Sequence, residues 1–188
     1  MPDSNDSNAG FSSGRRWMGA LNATLSALAA LAPVIEDLSP GLGPLGGICS
    51  ALASTAARRA VFLAVDLPLV PASLVVFLMR HARITGSAVT VPSVNGFAQT
   101  FPAVLDRAVL PVLEGELEAG RRGCFSGFQA AAAGLGGLVN VIPVEMVVQS
   151  GHVAHPDGMP AARWFLNVNA PEALRLAHEF GGHADRVS

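Results

Sequence analysis

The sequence predicts an α/β fold in three layers, with helices on both faces of a mainly parallel sheet. Three observations carry this. Apolar runs of strand length alternate with longer helical patterns through most of the chain. The clearest run, Ala60 to Val65 (AVFLAV), is apolar at every position, as in a strand covered on both sides. The chain has 188 residues and is 51% hydrophobic, enough for one substantial core but short for two.

Each element follows from local chemistry. Residues 1–14 (MPDSNDSNAGFSSG) are polar and acidic and read as a disordered tail, which leaves a single domain over 15–188. Trp17 to Leu31 spaces Leu21, Leu25 and Leu28 at helical intervals, and Pro33 stops the helix. PVIEDLSPGLGPLGGI reads as a short strand and a tight glycine-proline loop, and ICSALASTAARRA as a helix. After the Ala60 to Val65 strand, a helix begins near Pro71 and Ser73 and runs through LVVFLMRHA. Ser87 to Pro92 is the next strand; a turn at Asn95-Gly96 leads to a second extended piece, GFAQTFPAVL. Asp106 to Ala119 predicts a helix closed by Gly120, and Gly123 to Gly137 another. Val139 to Val148 and Trp164 to Val168 predict strands, and Pro171 to Phe180 a last helix.

Composition excludes some functions. All 12 basic residues are arginines, scattered as singles and pairs, and the net charge is −2, so a nucleic-acid partner is not expected. Segment 61–79 has about the length of a membrane span, but Asp66, Pro68 and Pro71 interrupt it, which argues against a membrane. Cys49 and Cys124 lack the spacing of a zinc site and are too few for a disulfide framework. They read as buried thiols in a reducing, cytoplasmic compartment.

In an open parallel sheet, ligands gather beyond the carboxyl ends of the strands, so the residues following each apolar run are the candidates. Asp66 ends one such run, and a lone carboxylate there suits Mg²⁺ shared with phosphates and water; a helix cap is the alternative. Asp37 follows another run and could accept from a ribose hydroxyl or a base edge, or serve a turn. Gly43, Pro44, Leu45, Gly46 and Gly47 form a turn whose backbone amides could face a nucleotide, or merely a turn. Gln99 beyond the Asn95 turn, and Asn167 and Asn169 near the end, supply amides; Asn169 also suits a helix cap. His152 and His155, near Asp157, read as solvated loop residues, with metal binding the lesser alternative, and Arg121-Arg122 as a solvated pair, with phosphate contact the lesser alternative.

Taken in order, VIEDLSPGLGPLGGI, FLAVDLP, GFAQTFPAVLDRAVLPVLEGELEAG and FLNVNAPEAL resemble the molybdenum cofactor guanylyltransferases and their wider nucleotidyltransferase family. The resemblance implies a Rossmann-like nucleotidyltransferase fold and transfer of GMP from GTP to a molybdopterin substrate with release of pyrophosphate. It implies Mg²⁺ at Asp66, nucleotide contacts from Asp37 and the GPLGG segment, and a molybdopterin-side pocket with Gln99, Asn167 and Asn169. Family members open with G-G-x-S-x-R-M-G-x-D-K. The counterpart here is confined to SSGRRWMGALNAT, with Leu21 and Asn22 where Asp and Lys would fall. Impaired activity is therefore expected, together with an incomplete sheet whose open edge favours self-association. A degenerate nucleotide-binding or scaffold protein, and a related cytidylyl- or sugar-phosphate nucleotidyltransferase, are the alternatives.

Overall fold

The computed structural model describes residues 35–37 and 41–167, and contacts group the chain into two units, Met1–Glu36 and Asp37–Ser188. The tail over 1–14, the helices expected over 17–31 and 171–180, and Asn169 lie outside the described residues. In the first unit, Ile35 and Glu36 are exposed and without regular structure. All that follows concerns the second unit.

Its elements are α1 (Gly43–Ser54), β1 (Arg59–Phe62), α2 (Ala72–Thr85), β2 (Val89–Val94), β3 (Phe97–Ala98) and β4 (Ala103–Asp106). A 3₁₀ turn (Arg107–Val109), α3 (Leu110–Glu118), α4 (Cys124–Gly134), β5 (Asn140–Pro143), α5 (Val144–Gln149) and a second 3₁₀ turn (Ala161–Arg163) complete it. The strands lie in the order β1-β4-β2-β3, with β5 on β2. β2 and β5 pair in parallel, while β4 is antiparallel to both β1 and β2, so β1, β2 and β5 share one direction. Connection length explains the pattern. From β2 the chain returns through a two-residue hairpin at Asn95 and Gly96, both at positive φ, which dictates an antiparallel partner. From β4 it crosses through α3 and α4 to β5, which runs opposite to β4 and so lies parallel to β2, its partner.

Period-two alternation sorts the strand side chains onto two cores. Ala103 and Leu105 join Val89 and Val91 against Leu45 and Leu52 of α1, Leu113 of α3 and Phe128 of α4. Val104 points the other way, with Ile142, to meet Leu74 and Leu78 of α2, Val147 of α5 and Trp164. Each such side chain contributes about 1.5–3 kcal/mol on burial, so two filled faces fix the three-layer α/β architecture.

Several expected elements differ. The strand at 60–65 ends at Phe62, whose partner Ala103 follows Pro102, a residue with no N–H to extend the ladder. The strand expected over Val139 to Val148 stops at Pro143. There α5 begins, because Val144 and Val147, three apart, can both reach the second core from a helix. The described part of Trp164 to Val168 is no strand. Trp164 and Leu166 donate backbone N–H groups to Ala161 and Arg163, and the Trp164 ring is buried with its Nε1 donating to the Met159 carbonyl at 2.9 Å.

Candidate functional site

The GPLGG segment lies within the first turns of α1, not in a loop before it. Gly41 and Gly43, at φ +84° and +70°, provide the left-handed entry that side-chain-bearing residues rarely adopt, and Pro44 fits the first turn, where no N–H is needed. Leu45 is fully buried, so it serves the core and not a ligand. At Gly46 a Cβ would fall 2.7 Å from the Leu42 Cβ, so this glycine serves packing. Pro44 and Gly47 face outward onto a cleft.

That cleft, of about 750 Å³, gathers Asp66, Gln99 and Asn167 with Pro44 and Gly47, between the rings of Phe62, Phe101 and Phe165. Asp66 is half-buried in the turn after β1, a turn closed by the Leu67 N–H on the Ala64 carbonyl. Gln99 is held at the end of the hairpin: its backbone N–H donates to Pro92 (2.8 Å) and its side-chain amide to Phe97 (3.0 Å). Asp37 is exposed and does not line the cleft, but its Oδ1 lies 3.4 Å from where a Cβ on Gly47 would stand, beside the cleft wall. Asn167 lines the cleft from an exposed position, and Gly43 is set back from it.

The signature of the MobA-like NTP transferase domain family matches residues 15–134. The chain belongs to this family. Over 80 residues it is 40% identical to a molybdenum cofactor guanylyltransferase of Pseudomonas putida, covering 43% of this chain and 41% of that one. Over 139 residues it is 27% identical to a protein of Carboxydothermus hydrogenoformans named probable molybdenum cofactor guanylyltransferase, covering 74% of this chain and 62% of that one. The matches thus span less than two thirds of either relative's length. The solved molybdopterin-guanine dinucleotide biosynthesis protein A of Archaeoglobus fulgidus superposes with a TM-score of 0.64 at 21% identity, covering 86% of this chain and 75% of that one. That likeness bears on the fold and supports the Rossmann-like nucleotidyltransferase architecture.

Electrostatically, the cleft of this MobA-like domain holds one carboxylate and, among its described lining residues, no arginine or histidine. Among the described residues no cluster of three or more His, Cys, Asp or Glu could hold a metal. The donor set around Asp66, one carboxylate with Thr100, Gln99 and Asn167 lining the same space, fits Mg²⁺ held jointly with substrate phosphates.

A cation does stand at the entry to α1. Arg122 Nη1 donates to the Gly41 carbonyl at 3.1 Å, across 81 residues of sequence. Arg121 instead makes two 2.6 Å contacts with Glu116, which hold the Glu116 carboxyl below and the Arg121 guanidinium above their usual ranges. The expected solvated pair is therefore split between two roles, and no spacing rule links residue 122 to residue 41. His155 is not a solvated loop residue either. Its side chain is 7% exposed, and its Nδ1 accepts from the Asp157 N–H at 3.2 Å while its ring lies 6.1 Å from Trp164. The two thiols are free and at least partly buried; burial, with Glu114 and Cys124 nearby, pushes the Cys49 thiol up to about 11. Burial raises the Cys124 thiol as well, and a thiol held protonated is a weak nucleophile.

Proposed function

We propose that this nucleotidyltransferase-family domain binds GTP with Mg²⁺ in the cleft and transfers GMP to a molybdopterin-type phosphate. The observation that supports the reading is the convergence of Asp66, Gln99, Asn167 and the Pro44–Gly47 face of α1 on one space from four separate stretches of chain. A phosphate oxygen of the second substrate attacks the α-phosphorus of GTP. A new P–O bond forms there, the bond to the bridging oxygen of the β-phosphate breaks, and pyrophosphate leaves with that electron pair. Such transfers ask mainly for in-line placement and charge neutralisation. Asp66 would hold Mg²⁺, which supplies charge on the phosphates when bound. Asp37 beside Gly47 would take a ribose or base hydrogen bond, Arg122 would meet phosphate at the α1 entry, and Gln99 and Asn167 would line the acceptor side. The free thiols are consistent with action in a reducing cytoplasm.

Turnover is expected to be slow, because Leu21 and Asn22 stand where the family's Asp and Lys would fall and one missing donor costs about 10²–10³ in rate. The same feature favours a second reading, a domain that binds nucleotide without efficient transfer. One experiment separates them: transfer of label from α-labelled GTP to molybdopterin with Mg²⁺, in wild type and Asp66→Ala, beside calorimetric titration of GTP. Transfer abolished in Asp66→Ala supports the enzyme; GTP binding without transfer supports the second reading; equal signal in both proteins and no binding removes both.

A further inference from the structure

Helix α2 is apolar on two sides. Leu74, Leu78 and Ala82, at four-residue intervals, are fully buried against the sheet. On the outer side Val76 and Ile84 are 57% and 77% exposed, with exposed Arg80 midway between them on the same helical row. Single exposed apolar residues need no explanation, but these border a groove of about 430 Å³. Three rings line it: the Phe77 ring centre lies 5.9 Å from those of both His81 and His152, inclined to them by 27° and 28°. The walls are tied in place. Ser73 Oγ donates to the Ala154 carbonyl at 2.7 Å, and the Asn140 amide nitrogen lies 3.1 Å from His81 Nδ1. A groove held open in this way costs little to order on binding.

Its charged lining residue is Arg80, beside the rings of His81 and His152, and no carboxylate lines it among the described residues. Helix α2 itself carries Arg80, His81 and Arg83 and no Asp or Glu. About a two-fold axis this patch would meet its own copy, which brings a second Arg80 and, among the described residues, no lining carboxylate to answer it. A concave groove also suits a helix better than a membrane surface.

We propose that this groove docks an acidic amphipathic helix of a partner protein. Apolar residues of that helix would pack on Val76, Phe77 and Ile84, and flanking carboxylates would meet Arg80 and Arg83. The groove and the Asp66 cleft share no lining residue, so this surface is separate from the proposed reaction.

The test is fluorescence anisotropy with two labelled synthetic helices, one with leucines at i, i+4 and i+7 flanked by glutamates, the other with lysine for every glutamate. The acidic helix is expected to bind wild type at least about tenfold more tightly than the lysine version and to weaken with added salt. Arg80→Glu, and separately Val76→Ser with Ile84→Ser, should each cost about tenfold or more in that affinity, with melting temperature and GTP affinity unchanged, since the inner face of α2 is untouched. No binding of the acidic helix, or equal binding of both helices to wild type, overturns the proposal without recourse to any variant. So does self-association, or binding to anionic phosphatidylserine vesicles, that these variants abolish while acidic-helix binding persists.

Discussion

At Gly47 the absence of a side chain leaves room where α1 meets the cleft. A Cβ there would make an ordinary 3.4 Å contact with Asp37 Oδ1, so alanine fits. Gly47→Ala should raise stability by up to about 1 kcal/mol through helix propensity. Gly47→Val adds branches into the same space and should lower GTP affinity by about tenfold with little loss of stability, as read by titration and thermal melting. Cys49 permits a prediction on pH. Its thiol is raised from 9.0 to about 11 by burial first, then by Glu114 and Cys124. A folded-state value above the unfolded one means the native state keeps the proton longer. The contribution is therefore whole below pH 9.0 and is lost as pH rises to about 11. Urea unfolding between these limits should show falling stability, and Cys49→Ala should flatten part of that fall.

Among the elements, the join of β1, β4 and the first 3₁₀ turn depends on one carboxylate. Asp106 accepts from Arg58 Nε and forms an ion pair with Arg59 Nη2, each at 3.1 Å, and accepts from the Ala108 N–H that opens the turn. The Arg59 side chain is only 11% exposed, so removing its partner strands a buried charge, whereas the 77% exposed Arg58 can turn to solvent. Asp106→Ala should cost about 3–5 kcal/mol in urea unfolding, and Arg58→Ala under about 1 kcal/mol. Elements with strong local signals are legible in the sequence. The Asn95-Gly96 hairpin, α2 after Pro71, α3 closed by Gly120 and α4 all lie close to their expected positions. Where local signals compete with packing, they lose. Val144 and Val147 have strand propensity yet go helical to reach the second core, and the Trp164 segment gives up extension to bury its ring.

For the molecule as a whole, layering follows from two apolar faces, as expected; strand direction follows from connection length, and the sheet is mixed, with β2–β5 the parallel pairing among the described strands. Among the described strands β1 pairs only with β4, and beyond it Leu63 and Val65 are 55% and 92% exposed. By itself the sequence determined the α/β class, most of the helices, the hairpin and the candidate residues at strand ends, because periodicity, capping and turn chemistry act over a few neighbours. Only the tertiary structure decided that Leu45 belongs to the core while Pro44 and Gly47 face the cleft, that Arg122 reaches Gly41, that the His155 side chain is buried, and that α2 carries an apolar groove with Arg80 in its lining. Those outcomes depend on which distant segments pack together, and no local pattern encodes that.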